Sequence, residues 1–411
     1  QPYRYAVYLR QRGRGPEAAA VVTRLSENGP RSELPWALIG LTLDAGDPSR
    51  AIAHLQKAIS LDPNLTLAWI RLAYFQDVLG LSEAELASRR HALRTVRRHD
   101  RGGVTEMAAA VIRPAEAGRI ATLLGDHQTA VRFQTEVEAA PKSYGYGPTG
   151  SAVRAELLAL NHDVSGARRA LPGRLDDGEL VASLIEYDVN LPNYYAAVAL
   201  DDWPAALAQL RAAERAAAEH GAPHHRNTAT LTLTPLIAEA LARTGRLEEA
   251  EATAARTRLD CYPCLRVRGE IATLRRDWPA AERWFAEAAR QGPSLPFAFS
   301  EWGEARLARG DAAGAIRLFR EAQERGPRWA DPLKLEGDNL ARQGRSRQAV
   351  RRYREATERA PRWGAAHLAW GRSLEALGRE EQARAKYAQA ARLDLSAADR
   401  AAVTRLLARP T

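Results

Sequence analysis

The stretch FSEWGEARLARGDAAGAIRLFREAQERGP, Phe299 to Pro327, is followed by LKLEGDNLARQGRSRQAVRRYREATERAP, Leu333 to Pro361. HLAWGRSLEALGREEQARAKYAQAARLDL, His367 to Leu395, comes next. Set one under another, they keep a step of 34 residues through Gly303, Gly337 and Gly371, and through Gly310, Gly344 and Gly378. Ala315, Ala349 and Ala383 keep it too, as do the rings Phe319, Tyr353 and Tyr387, then Ala322, Ala356 and Ala390. Pro327 and Pro361 follow suit, and Gly269, Ala281, Phe285, Ala288 and Pro293 extend the pattern one unit upstream. Self-similarity at a fixed period of this length marks a repeat architecture, in which each unit buries its apolar face against the next.

Composition agrees. A chain of 411 residues is long for one compact core. Its hydrophobic share of 45% contains only 7% aromatics, and alanine, leucine, arginine and glutamate are strong helix formers. The prediction is an all-α protein. The net charge is +9, yet only Lys57, Lys142, Lys334 and Lys386 are lysines, and no block of like charges concentrates the surplus. A nucleic-acid footprint is therefore not expected. No 18-residue stretch is free of charges, so no membrane span is expected either.

The spacing of small residues and rings resembles the tetratricopeptide repeat family, whose unit is a helix–turn–helix. Helix physics accounts for the pattern. The first glycine of each unit and the alanines sit where the two helices cross closely. The second glycine ends the first helix, where positive φ is wanted. The ring is expected between neighbouring units, and Pro204 and Pro279 at the start of second helices. Looser units begin at Trp36, Trp69 and Gly118, and others lie around Ala155, Ala206 and Gly245. The resemblance implies a right-handed superhelical solenoid of about ten units. The expected organisation is an N-terminal helix, linker or cap over 1–34 and degenerate repeats over 35–260, with irregular insertions near 86–112 and 172–192. Regular repeats fill 261–395, and a capping helix fills 396–411.

By the same resemblance, fixed positions of each first helix face a concave groove. Arg266, Glu270, Glu304, Lys334, Asp338 and Arg372 are the candidate groove residues, with intrahelical pairing on a solvated face as the alternative reading. The Lys and Asn set by which some relatives grip a C-terminal carboxylate does not recur in adjacent units here.

The chain has two cysteines, Cys261 and Cys264, in LDCYPCL. Ala250 and Ala281 stand 31 residues apart instead of 34, so a shortened turn is expected there, with Tyr262, Pro263 and Cys264 opening the next helix. The first reading is a structural turn with buried or idle thiols. The alternatives are a redox-responsive pair, because a helix N-terminus favours thiolate, and half a metal site, for which two further ligands are missing. The histidines of EHGAPHHRN read as a surface loop, SYGYGPTGS lacks the ending of a phosphate loop, and Asp176, Asp177 and Glu186 read as solvated acids. No catalytic residue, metal site or cofactor is expected.

The functional expectation is a non-catalytic module binding a protein or peptide in its groove. Arrays of this Ala- and Arg-rich style resemble the C-terminal portion of bacterial multidomain regulatory and signalling proteins. That likeness implies an effector domain ahead of Gln1, and the two cysteines fit a reduced, cytoplasmic location. The alternative is a redox- or metal-responsive sensor acting through Cys261 and Cys264.

Overall fold

The computed structural model describes residues 5–6, 8–9, 12, 14–28, 34–41, 47–98, 108–140, 149–171, 190–220 and 223–409. Among these residues every regular element is a helix, and the one sheet-like feature is an isolated bridge between Trp363 and Asp394. No described helix is long and apolar enough to cross a membrane. From Leu34–Gly40 with Pro48–Leu61 to Gly364–Glu375 with Glu380–Ala391, the helices of the described residues follow one another as ten pairs. Helix Ala397–Leu407 closes the far end, burying Val403 in a cluster with Leu374 and Tyr387. The chain is an all-α solenoid of helical repeats.

Within a unit, the contact that sets the spacing is a glycine against a ring. A Cβ added at Gly303 would stand 2.6 Å from Phe319, at Gly337 2.7 Å from Tyr353, and at Gly371 2.4 Å from Tyr387. These rings are almost fully buried. The sequence places the ring between units. The structure seats it on the glycine of its own unit, from where it also reaches the next: Phe285 clusters with Ala305, and Tyr353 with Ala369. The turn between the two helices needs one residue at positive φ. Gly310, Gly344 and Gly378 supply it in the regular units, while Arg276 adopts φ 61° in the same place. Just beyond, Asp126, Asp163, Asp277 and Asp311 each accept from the backbone N–H three residues on, capping the second helix. Trp278 takes the first helical position and Pro279 the second, one place later than expected.

Three other expectations are corrected. The short step before Cys261 comes from the second helix, not the turn: Leu247–Ala255 has 9 residues where Trp278–Gln291 has 14. Part of the supposed insertion near 86–112 lies in the continuous helix Ser82–Arg98, held by a buried Arg89 that pairs with Glu85 at 2.7 Å and Glu116 at 2.9 Å. His224 and His225 belong to the helix Pro223–Arg243 rather than a loop. Most of 172–192, with Asp176, Asp177 and Glu186, and the glycine-rich 141–148 lie outside the described residues.

The largest departure from a simple stack is a seam between distant units. The Tyr262 N–H donates to the Gly80 carbonyl at 2.8 Å, and the Ser294 N–H to Glu83 at 3.0 Å. Trp329 packs against Gly125, and the His162 ring stacks on Trp363 with centroids 3.7 Å apart. His162 also bonds Asp331 at 3.0 Å, Arg362 pairs with Asp163 at 2.7 Å, and Asp394 accepts from the Ser165 N–H at 2.8 Å. Partners along the seam are 169 to 229 residues apart and advance together along the chain. A later turn of the solenoid therefore lies on an earlier one. Trp329 and Trp363 are buried, each packing with its neighbouring units on one side and across the seam on the other.

Gly326 tests the seam directly, since a Cβ there would come 2.6 Å from the Leu124 carbonyl oxygen. Gly326→Ala is expected to cost about 1–3 kcal/mol by overpacking and to lower the thermal midpoint by several degrees. An unchanged midpoint would show that the seam contributes little to stability.

Candidate functional site

Carboxylates recur at one position of four successive first helices: Glu239 on Pro223–Arg243, Glu270 on Tyr262–Leu274, Glu304 on Phe297–Ala308 and Asp338 on Asp331–Arg342. Arg372, at the same position of the final pair, is exposed and ends the row. Glu239 is missing from the sequence-derived set because the 31-residue step hides it from a strict count of 34. Carrying the offset of Ala250 against Ala281 onto Glu270 would have found it.

The row is not a series of pairs within helices. Lys334 does hold Asp338 four residues on, at 2.7 Å, with the Tyr353 hydroxyl donating to the same carboxylate at 2.9 Å. Arg266 instead passes Glu270 and grips Glu301 of the next first helix through both carboxylate oxygens. Arg243 also reaches forward to the next first helix, its Nε pairing with one carboxylate oxygen of Glu270. These arginines tie adjacent units together, so Glu239, Glu270, Glu301 and Glu304 share Arg243 and Arg266. No hydrogen bond or ion pair holds the Glu304 carboxylate among the described residues.

The surroundings are enclosed but still touched by water, and the acid surplus shows in the protonation equilibria. Burial, reinforced by Glu239, pushes the Glu270 carboxyl well above its usual range, and burial with Glu301 raises Glu239. Glu304 is pushed up to about 7, first by burial and then by Glu301 and Asp331, while Arg243 and Lys334 oppose. The seam adds to the same neighbourhood. Burial works against the Asp331 carboxylate, but His162, His127 and Lys334 hold its pKa below the usual value. Burial holds His127 neutral, with a pKa lowered to about 4.

Cys261 and Cys264 are joined as a disulfide, both buried, at the seam's contact with Gly80. The turn reading is met in its geometry: Cys261 caps helix Tyr262–Leu274, with its sulfur accepting from the Cys264 N–H at 3.3 Å. The two residues are buried, as that reading has it, but as a disulfide instead of thiols, and sulfurs bonded to each other have no thiolate to offer a metal.

Residues 334–401 match the tetratricopeptide repeat family. Among solved structures, yeast Tom70 is similar at 12% identity over 99% of this chain and 94% of its own, with a TM-score of 0.42. The Cut9–Hcn1 hetero-tetramer of the APC/C gives 13% identity, 98% and 88% coverage and 0.43. YrrB, described as a repeat protein with an unusual peptide-binding site, gives 17% identity over 42% of this chain and 91% of its own, at 0.32. No curated protein matches the sequence.

The raised pKa of Glu304 sets a sign for its contribution to stability. Because the folded value, about 7, lies above the ordinary 4.5, the contribution is fully present below pH 4.5 and is lost as pH rises through 7. Glu304→Gln, fixed neutral, is expected to be more stable than the parent at pH 8 and no more stable at pH 4. Thermal midpoints across this range check it; a constant difference would remove Glu304 from the titrating set.

Proposed function

We propose that this tetratricopeptide repeat protein is a non-catalytic interaction module whose row of carboxylates receives a basic, extended segment of a protein partner. The observation that carries the reading is the unpaired Glu304 at the centre of Glu239, Glu270 and Asp338, in a neighbourhood with more acids than bases. A Lys or Arg side chain entering there replaces the missing cation and relieves repulsion among Glu270, Glu301 and Glu304. The overall charge of +9 makes a local acidic row more selective, since a basic segment is repelled elsewhere. That the array is the sensing part of a larger bacterial regulatory protein, acting in the cytoplasm, belongs to this proposal and rests on sequence style alone.

A second reading is favoured by the disulfide at the seam. Thiol–disulfide exchange with a dithiol reductant would turn the Cys261–Cys264 bond into two thiols, the reductant taking up the bond as its own disulfide. Loosening at Gly80 is the expected result. The Cys261→Ser, Cys264→Ser double variant should then match the reduced parent in hydrogen exchange at residues 78–86; equal protection in the oxidised, reduced and variant forms would sink it.

The leading reading is tested with a short Arg-rich peptide and its Gln-substituted counterpart, by titration calorimetry. The Arg peptide alone should bind, more weakly at high salt. A cation lowers the Glu304 pKa, so binding near pH 6.5 should release protons, seen as heats that differ between buffers. Glu270→Gln and Glu304→Gln should each weaken binding about tenfold, or about 1.4 kcal/mol. Equal affinity for the Gln peptide would refute the assignment.

A further inference from the structure

Repeat register shows where one unit lacks a group that its neighbours supply. Trp302 and Trp370 occupy the same place two repeats apart. The Trp302 Nε1–H donates to Glu282 at 2.8 Å, and the same carboxylate pairs with Arg306. In the unit between, that place is Glu336, itself buried and paired with Arg352 at 3.0 Å and Arg320 at 3.4 Å. At the last pair the indole returns, but the place of Glu282 is taken by Val350. The Trp370 Nε1–H is buried with no partner.

Trp370 also lines a cavity of about 350 Å³ between helices Ser346–Arg359, Gly364–Glu375 and Glu380–Ala391. Its volume falls within the range of small-molecule sites. Trp370 and Leu374 give it an apolar wall, Arg351, Arg354, Arg379 and Lys386 line it with cations, and no carboxylate lines it. Arg354 has its nearest acid, Glu358, at 4.0 Å on the exposed helix surface, and no ion pair holds Arg351 or Arg379 among the described residues. Lys386 lies 3.7 Å over the Trp370 ring, and its pKa is lowered by burial. An unused N–H donor and converging cations beside an aromatic wall are the complement of an anion with a flat apolar body.

We infer that this cavity is a binding site for a small organic anion. Its carboxylate or phosphate accepts from the Trp370 indole N–H and pairs with Arg351 and Arg379, while its planar body lies along Trp370 and Leu374. The site is separate from the carboxylate row and of opposite sign.

The test is titration of the ¹⁵N-labelled chain with phenyl phosphate, benzoate and inorganic phosphate, following the indole N–H resonance that Trp370→Phe removes. A saturable shift of that resonance by either aromatic anion is expected. Phenyl phosphate binding more tightly assigns a phosphate, and benzoate a carboxylate. Arg351→Ala and Arg379→Ala should each weaken binding about tenfold, as expected for a lost charge-assisted contact. Trp370→Phe, which keeps the ring, should weaken it about fivefold or more with unchanged circular dichroism. Arg405→Ala, on the capping helix, should leave the affinity unchanged. No saturable shift, or affinities indifferent to Arg351 and Arg379, would overturn the site. Inorganic phosphate binding as tightly as phenyl phosphate would overturn the organic-anion assignment.

Discussion

The approach of a glycine on one helix to a ring on the next governs the dimensions of this array, because every other contact is placed by it. With no Cβ at Gly269, Gly303, Gly337 or Gly371, the second helix comes close enough to seat Phe285, Phe319, Tyr353 or Tyr387 on the backbone. The ring is then buried and extends to the following unit, so the spacing within a unit also sets the spacing between units. Repetition of that spacing brings one residue of each first helix into line, and a row of carboxylates results.

The row shows how a repeat turns local sequence into an extended electrostatic surface. Arg266 and Arg243 reach across unit boundaries to Glu301 and Glu270, so the same charges serve cohesion between units and definition of the surface. Glu304 is left over from this pairing, and its raised pKa reflects burial among like charges. Such groups are costly to keep ionised and stay responsive to any cation that arrives. Departures from register are equally informative. Where Glu282 satisfies Trp302, Val350 leaves Trp370 unsatisfied, and the cations nearby have no acid among them.

The seam converts a stack of nearest-neighbour contacts into a structure with long-range cohesion. A simple solenoid gains stability from adjacent units only. Here Gly80, Gly125, His162 and Ser165 meet Tyr262, Trp329, Trp363 and Asp394, so separated stretches of chain support one another. The disulfide lies at this seam, with the Cys261 sulfur where a side chain on Gly80 would stand.

The amino-acid sequence by itself determined the helical repeat, the glycine at the crossings of the regular units, the left-handed glycine at three of their four turns and the final helix. All of these are local: they follow from steric limits on φ, from close helix approach and from a period that survives in the side chains. Four of the acids and bases of the candidate row, Glu270, Glu304, Lys334 and Asp338, were legible for the same reason. Glu239 was not, because a second helix shortened to 9 residues shifts the register. Nor was the choice of Glu301 as partner of Arg266, which depends on the distance between stacked helices. Only the tertiary structure decided the seam, the pairing of Cys261 with Cys264 and the orphaned indole of Trp370. The seam is set by the curvature that small offsets between units accumulate over about 200 residues, which no single stretch of sequence records. The sulfur pairing and the orphaned indole depend instead on which nearby side chains the packing brings together.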